Sequence, residues 1–297
     1  MAQSLSASSG DYTCSRPSLL GRLVQSGGWF LVLLPTLAFF LVFFIYPLLY
    51  IVERSAPEWS FSNYTRIFST WLYARVILST FKTALIVSFV CLVMGYAYAY
   101  ALVKAKGLVL GVLSVALLLP FWVSVLLRTF SWLVLLQDSG LINRVLLGLG
   151  IVDTPVSLIR NQLGVVIGMS NLLLPYMVMP LATVMRGVDS NIIAAARISG
   201  ASSLRTFFRV YLPMTMPGVL SGFVLTMTLS MGFYITPAVL GGSRNVMIAQ
   251  LIADQINQQV NFTFSSALAV VLIVFSSLAF GTFGILVRIA KRKVGEA

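Results

Sequence analysis

The sequence contains no histidine, two cysteines (Cys14 and Cys91) and only eight acidic residues in 297. The missing histidines exclude imidazole acid–base catalysis and histidine-ligated metal centres. Two cysteines cannot build the disulfide framework of a small secreted fold. Charge is scarce altogether: 9% of residues are charged and 59% are hydrophobic. Soluble domains carry roughly 25% charged and about 45–50% apolar residues. A soluble globular body is therefore excluded, although the length would accommodate two such domains.

What is present is a set of long apolar runs. A helix must cross about 30 Å of hydrocarbon, which takes roughly 20 apolar residues. Six runs meet that requirement: Trp29–Val52, Thr83–Val103, Gly107–Leu127, Asn161–Met185, Val210–Ser243 and Gln255–Val287, the last with a polar first third. The fold class expected is an all-α membrane protein with six transmembrane helices. The first run is longer than the roughly 7–15 apolar residues of a secretory signal. It is read as an uncleaved helix, 29–52, behind a Ser/Gly-rich tail, 1–28.

The net charge is +12, with 20 Lys+Arg. On a soluble protein that excess would point to nucleic acid. Here its distribution points to topology. With both termini in the cytoplasm, the inner segments are 1–28, 104–107, 186–209 and 288–297. They hold twelve of the cations: Arg16, Arg22, Lys104, Lys106, Arg186, Arg197, Arg205, Arg209, Arg288, Lys291, Arg292 and Lys293. The longer outer segments share the other eight, which favours cytoplasmic termini.

Prolines interrupt most spans: Pro35 and Pro47, Pro120, Pro175 and Pro180, and Pro213, Pro217 and Pro237. Each interior proline removes a backbone hydrogen bond and kinks its helix. Two readings stand side by side: ordinary bundle packing, or broken helices around a translocation path. The segment 128–162 is too polar to span. It reads as a short helix dipping to the membrane surface before a turn at Ser139-Gly140, or as a loop packed on the bundle.

The loop 187–212 carries more information. Asp189 or Ser190 is a suitable N-cap for a short helix, Asn191–Ser199, with Ile192, Ile193 and Ala196 on one face. Gly200 stands where a left-handed residue ends a helix. Ser202 or Ser203 caps a second short helix, Leu204–Tyr211, with Phe207 and Phe208 buried, before Pro213 and Pro217 open the fifth span. The expected product is a helix–Gly–helix elbow on the cytoplasmic face.

The elbow string is Ala194-Ala195-Ala196, three residues, Gly200, nine residues, then Val210-Tyr211-Leu212-Pro213. It resembles the Glu-Ala-Ala, three residues, Gly, nine residues, aliphatic, any residue, Leu-Pro loop of importer permeases of the ATP-binding cassette class. Ala194 departs from that pattern, which has Glu there. Further blocks, from Ser79 to the sixth span, resemble the spermidine/putrescine branch. They are Gly95-Tyr96-Ala97-Tyr98-Ala99-Tyr100, Leu119-Pro120-Phe121-Trp122 through Arg128-Thr129-Phe130-Ser131-Trp132, Leu174-Pro175-Tyr176-Met177 with Pro180-Leu181, and Pro237 to Gly242.

The resemblance, most like the first permease of spermidine/putrescine importers, implies a type I importer permease domain over 77–290. It implies that the elbow is a coupling helix seated in a separate ATPase. Ala194, Ala195, Ala196, Arg197, Gly200, Ala201 and Arg205 would make that contact. Further implied partners are a second permease forming the other half of the path, an ATPase dimer, a solute-binding protein outside the cell and membrane lipid. The implied location is the bacterial inner membrane. No phosphate-cradling Gly-x-x-x-x-Gly-Lys-Ser/Thr string is present, so ATP belongs to a partner chain and no cofactor is expected on this one. The chain is read as a non-enzyme.

Candidate path residues are Phe121, Trp122, Trp132, Tyr176 and Tyr234, whose ring faces attract ammonium groups. The same positions suit packing or interfacial aromatics. Asp138 and Asp254 are outer acids, able to meet a cation or simply solvated. Arg128 can gate the path, bind an anion or snorkel. No Asp or Glu lies inside an apolar span, whereas a desolvated polycation calls for some. The substrate readings are therefore a small polar amine such as spermidine or putrescine, or alternatively an amino-acid derivative, opine, phosphonate or metal. An ion-coupled secondary transporter is a further alternative, disfavoured by the absence of intramembrane carboxylates and histidines.

Overall fold

The computed structural model of the protein describes residues 29–295. The expected tail, 1–28, lies outside the described residues, as do the side chains of the Arg288–Lys293 cluster. The described residues form helices and turns, without a strand. Six helical segments are long and apolar enough to cross a bilayer: Leu33–Ser55, Trp71–Lys104, Val125–Gly148, Gln162–Arg186, Ser203–Met231 and Phe262–Thr282.

By contact the chain divides into Met1–Tyr50 and Ile51–Ala297. The described part of the first unit is α1 (Trp29–Phe40), a π turn at Leu41–Ile45, and the start of α2 (Tyr46–Ser55). Phe39 and Phe43 pair at i,i+4, as do Phe40 and Phe44. Pro47 sits just beyond the π turn, where a widened ladder accommodates a residue that donates no N–H.

In the second unit, Asn63 and Tyr64 of α3 (Ser62–Ser69) bond to Ser55 and hold the end of α2. The centre is a three-helix body: α4 (Trp71–Lys104), α8 (Gln162–Arg186) and α11 (Leu212–Met231). Helices in lipid gain little from burying apolar surface, so close backbone approach at small residues holds them together. Met177 of α8 lies between two glycines. A Cβ on Gly95 of α4 would fall 2.7 Å from Met177 Cγ, and one on Gly222 of α11 would fall 2.8 Å from Met177 Sδ. Gly218 meets Val184 in the same way, at 2.9 Å.

Several helices differ from the sequence expectation. The helix α4 begins at Trp71, twelve residues before Thr83. Arg75 and Lys82 stay exposed along it, since a charge on an exposed helix face does not stop the helix. The expected fifth span, Val210–Ser243, ends at Met231. Beyond it lie α12 (Ile235–Leu240) and α13 (Ile248–Asn257). The expected sixth span, Gln255–Val287, starts instead at Phe262, in α14 (Phe262–Gly295). Its polar first third belongs to α13 and a turn, and Asn261 Oδ1 accepts from the Phe264 N–H at 3.1 Å to cap α14.

The third crossing is broken. Instead of one helix over Gly107–Leu127 there are α5 (Gly107–Leu118), a 3-10 turn at Leu119–Trp122 and α6 (Val125–Leu136). Pro120 opens the 3-10 turn, and Val123 and Ser124 are extended (ψ 131° and 138°). Twelve residues make about 18 Å of helix against about 30 Å of hydrocarbon, so neither piece spans alone, and Val125–Gly148 reaches crossing length only by counting through the turn at 137–140 into the next short helix. Phe121 reaches Tyr176, in the middle of α8, and Thr129 of α6 bonds to Thr236 near the start of α8. The two pieces are thus the lower and upper halves of one crossing. After α6 comes the turn at 137–140, then α7 (Leu141–Gly148). Asn143 fixes α7 by donating to Gln137 O and Val156 O. The short helix and turn expected in 128–162 are therefore present, with the helix starting inside the bundle.

Gly222→Leu should destabilise this body by about 1–3 kcal/mol or more through overpacking on Met177. Gly111→Ala, with open space at its Cβ, should leave stability unchanged or slightly raised. Thermal melting of the two variants in detergent measures the difference; equal melting would remove the close contact as a source of stability.

Candidate functional site

The first arm of the elbow and its turn form where the spacing placed them. Asp189 caps α9 (Ser190–Ile198), its Oδ1 accepting from the Asn191 N–H at 2.8 Å. Gly200 takes φ +81°, and no atom within 4 Å would oppose a Cβ there. The constraint at Gly200 is conformational, because L-residues resist that region. Ser202 Oγ then accepts from the Arg205 N–H at 3.4 Å to start α10 (Ser203–Thr206).

The second arm differs from the expected separate helix, Leu204–Tyr211. The short α10 runs through a π turn, Phe207–Tyr211, directly into α11, so this arm is the start of the fifth span. Leu212 N–H bonds to Phe207 O, five residues back, just where Pro213 withdraws its donor from the ladder. Phe207 is half-buried as a packing residue, but Phe208, expected inside, is 59% exposed.

The first arm, α9, has no buried residue. Ala194, Ala195, Arg197, Gly200 and Arg205 are exposed, and Ala196 and Ala201 are half-buried. Ile198 is 87% exposed and Leu204 71%. The small side chains of Ala194–Ala196 leave this arm's backbone open to close approach.

The elbow is fastened to α4 by rings. Tyr96 meets Phe207 edge-on at 5.9 Å, Tyr100 meets Tyr211 edge-on at 5.7 Å, and Phe207 stacks on Tyr211 at 5.9 Å. Tyr96 Oη and Thr215 Oγ1 share a hydrogen bond of 3.0 Å. Sequence reasoning named these tyrosines only as part of a string. The signal available was spacing: Tyr96/Tyr100 and Phe207/Tyr211 are both i,i+4 pairs on one helix face.

The expected path residues separate into two groups. Phe121 and Tyr176 pair edge-on at 5.4 Å beside the break in the third crossing. Arg128, within electrostatic reach of Tyr176, lies just above the break. Its Nε is buried without a hydrogen-bond partner. These three come together. Trp122, on the same turn, is 90% exposed, and Trp132 packs half-buried on the core. Asp138 is exposed in the turn after α6, Tyr234 is exposed between α11 and α12, and Asp254 is half-buried on α13. No ring contact or hydrogen bond joins this second group to the first among the described residues.

The remaining motif residues shape the end of the bundle away from the elbow. Thr129 Oγ1 donates to Val125 O at 2.9 Å and meets Thr236 Oγ1 at 3.3 Å, tying α6 to α12. Gly168 of α8 accepts Leu240 and Thr236 where a Cβ would collide with both. No group of three or more potential metal ligands occurs among the described residues.

Comparison with known proteins agrees with this architecture. The family model for the binding-protein-dependent transport system inner membrane component matches residues 92–294. The spermidine/putrescine transport system permease protein PotB of Escherichia coli (strain K12) is 35% identical over 232 residues, 78% of this chain and 84% of that protein. PotB of Haemophilus influenzae is 32% identical, over 78% of this chain and 81% of that protein. Among solved structures, a chain of a bacterial alginate ABC transporter in complex with an alginate pentasaccharide-bound periplasmic protein has the same fold. The TM-score is 0.71 at 16% identity, over 92% of this chain and 98% of that chain. The protein belongs to the family of binding-protein-dependent transport inner membrane components, as an ABC importer permease of the inner membrane.

Proposed function

We propose that this chain forms half of the translocation path for a small polyamine of the spermidine/putrescine kind and that its elbow seats in a separate ATPase subunit. The observation that carries the coupling role is the elbow itself. One arm is unburied and lined by alanines, the other is continuous with a membrane span, and Gly200 turns between them at φ +81°. Motion imposed on α9 passes through the aromatic contacts into α4 and α11 as rigid-body displacement. A second, similar permease supplies the other half of the path, and a binding protein delivers the ligand from outside. Both termini lie in the cytoplasm, which puts the elbow on the side where ATP is available.

The substrate class rests on the likeness to PotB. The ring faces of Phe121 and Tyr176 at the break suit an ammonium group. A second reading has its own observation. The unpartnered Arg128 Nε at the same place favours a ligand that also bears an acidic group, such as an amino-acid derivative. Uptake of labelled spermidine by cells carrying the system decides between them. Competition by putrescine and not by amino-acid derivatives supports the polyamine; the reverse order overturns it.

Two outcomes follow for the coupling role. Gly200→Val should leave membrane insertion and abundance unchanged but cut uptake at least about tenfold, because a β-branched residue resists positive φ. Immunoblotting of membranes beside the uptake assay reads both, and normal uptake would remove the elbow from coupling. Inactivating the nucleotide site of the ATPase subunit should abolish uptake. Uptake sustained by an ion gradient alone would instead favour the secondary-transporter reading.

A further inference from the structure

A cavity of about 300 Å³ opens at the base of the elbow, between the end of α4 and the two arms. Tyr100, Phe207 and Tyr211 form its apolar wall, and Lys104 of α4 and Arg197 of α9 both line it. The Lys104 ammonium is placed over the Tyr100 ring, 5.7 Å from the centroid. Thr206 completes the wall; it is buried, and its hydroxyl has no hydrogen-bond partner within the chain. No carboxylate lines the cavity. The acid of the elbow, Asp189, uses its Oδ1 to cap α9.

The location narrows the occupant. Lys104 is the last residue of the second span and Ser203 the first of the fifth. The cavity therefore lies between the ends of two membrane-crossing helices. A cationic pocket between helices near the membrane surface is suited to an anionic lipid headgroup. Exposed Leu204 and Phe208 on the second arm offer apolar surface to acyl chains.

We propose that this cavity seats the phosphate headgroup of an anionic phospholipid, held between Lys104 and Arg197. The lipid then bridges the end of α4 to the first arm of the elbow, joining parts that the aromatic contacts link only through the second arm. The site is separate from the substrate path but shares Arg197 with the arm proposed to meet the ATPase, and lipid retention tests it independently of uptake.

The test uses the full chain, purified and placed in nanodiscs of phosphatidylcholine with or without phosphatidylglycerol. Native mass spectrometry then counts the lipids that survive delipidation. The expected result is retained phosphatidylglycerol, weakened roughly fivefold by each of Lys104→Gln and Arg197→Gln, given the attraction of one cation to an anionic surface. Lys106→Gln, an exposed cation on the same turn but outside the cavity, should retain the lipid and serves as the folding control. Equal retention by wild type and both cavity variants overturns the proposal, as does equal retention of phosphatidylcholine. Displacement by inorganic phosphate reassigns the cavity to a soluble anion, and loss of the lipid on adding the ATPase subunit reassigns it to a protein segment.

Discussion

The close approach of three backbones around Met177 sets the geometry of everything else. Gly95 and Gly222 leave the thioether no room for a Cβ on either side. The spans α4, α8 and α11 are therefore held at a separation that larger residues would forbid. In lipid such contacts replace the hydrophobic drive that assembles soluble bundles. The residue after Gly95 is Tyr96, whose ring and hydroxyl reach Phe207 and Thr215. The point that fixes the bundle thus also fixes the elbow.

The two arms of the elbow have opposite environments. The second arm is bound into the membrane body by four rings and a hydrogen bond, and it continues as a span. The first arm buries no residue and ends in a glycine with positive φ. A largely exposed part that rests on a span through Ile193 is suited to receive a displacement and pass it on. A flexible loop would dissipate that displacement. The π turn at Phe207–Tyr211 matters here. It lets the ladder pass Pro213 without breaking, so the arm and the span move together.

Much of this was legible in the sequence, and the gaps have physical causes. The elbow could be read because its signals are local: Asp189 as a cap, Gly200 as a turn, and fixed spacing to Leu212-Pro213. The number of spans could be read because charge-free length is a property of composition. Boundaries at α4 and α14 could not be placed. Arg75 and Lys82 are compatible with a helix whose charged side chains stay exposed, and the polar run 255–261 hides a cap at Asn261. The meeting of Tyr100 with Tyr211, or of Phe121 with Tyr176, joins residues far apart in sequence and depends on how three helices cross. No local pattern contains that information.

Prolines show the same division between pattern and context. Sequence alone left packing and path as equal explanations for all of them. Pro175, Pro180 and Pro217 stay inside continuous helices, whereas Pro120 coincides with a full break in a crossing. The difference lies in what surrounds each. Around α8, neighbouring helices press on both sides and keep the helix continuous despite the lost hydrogen bonds. Around Pro120 the chain is open on one side, with Trp122 90% exposed. That break brings ring faces and one cation together, but no carboxylate. The break is thus where this chain presents ring faces and one cation beside each other.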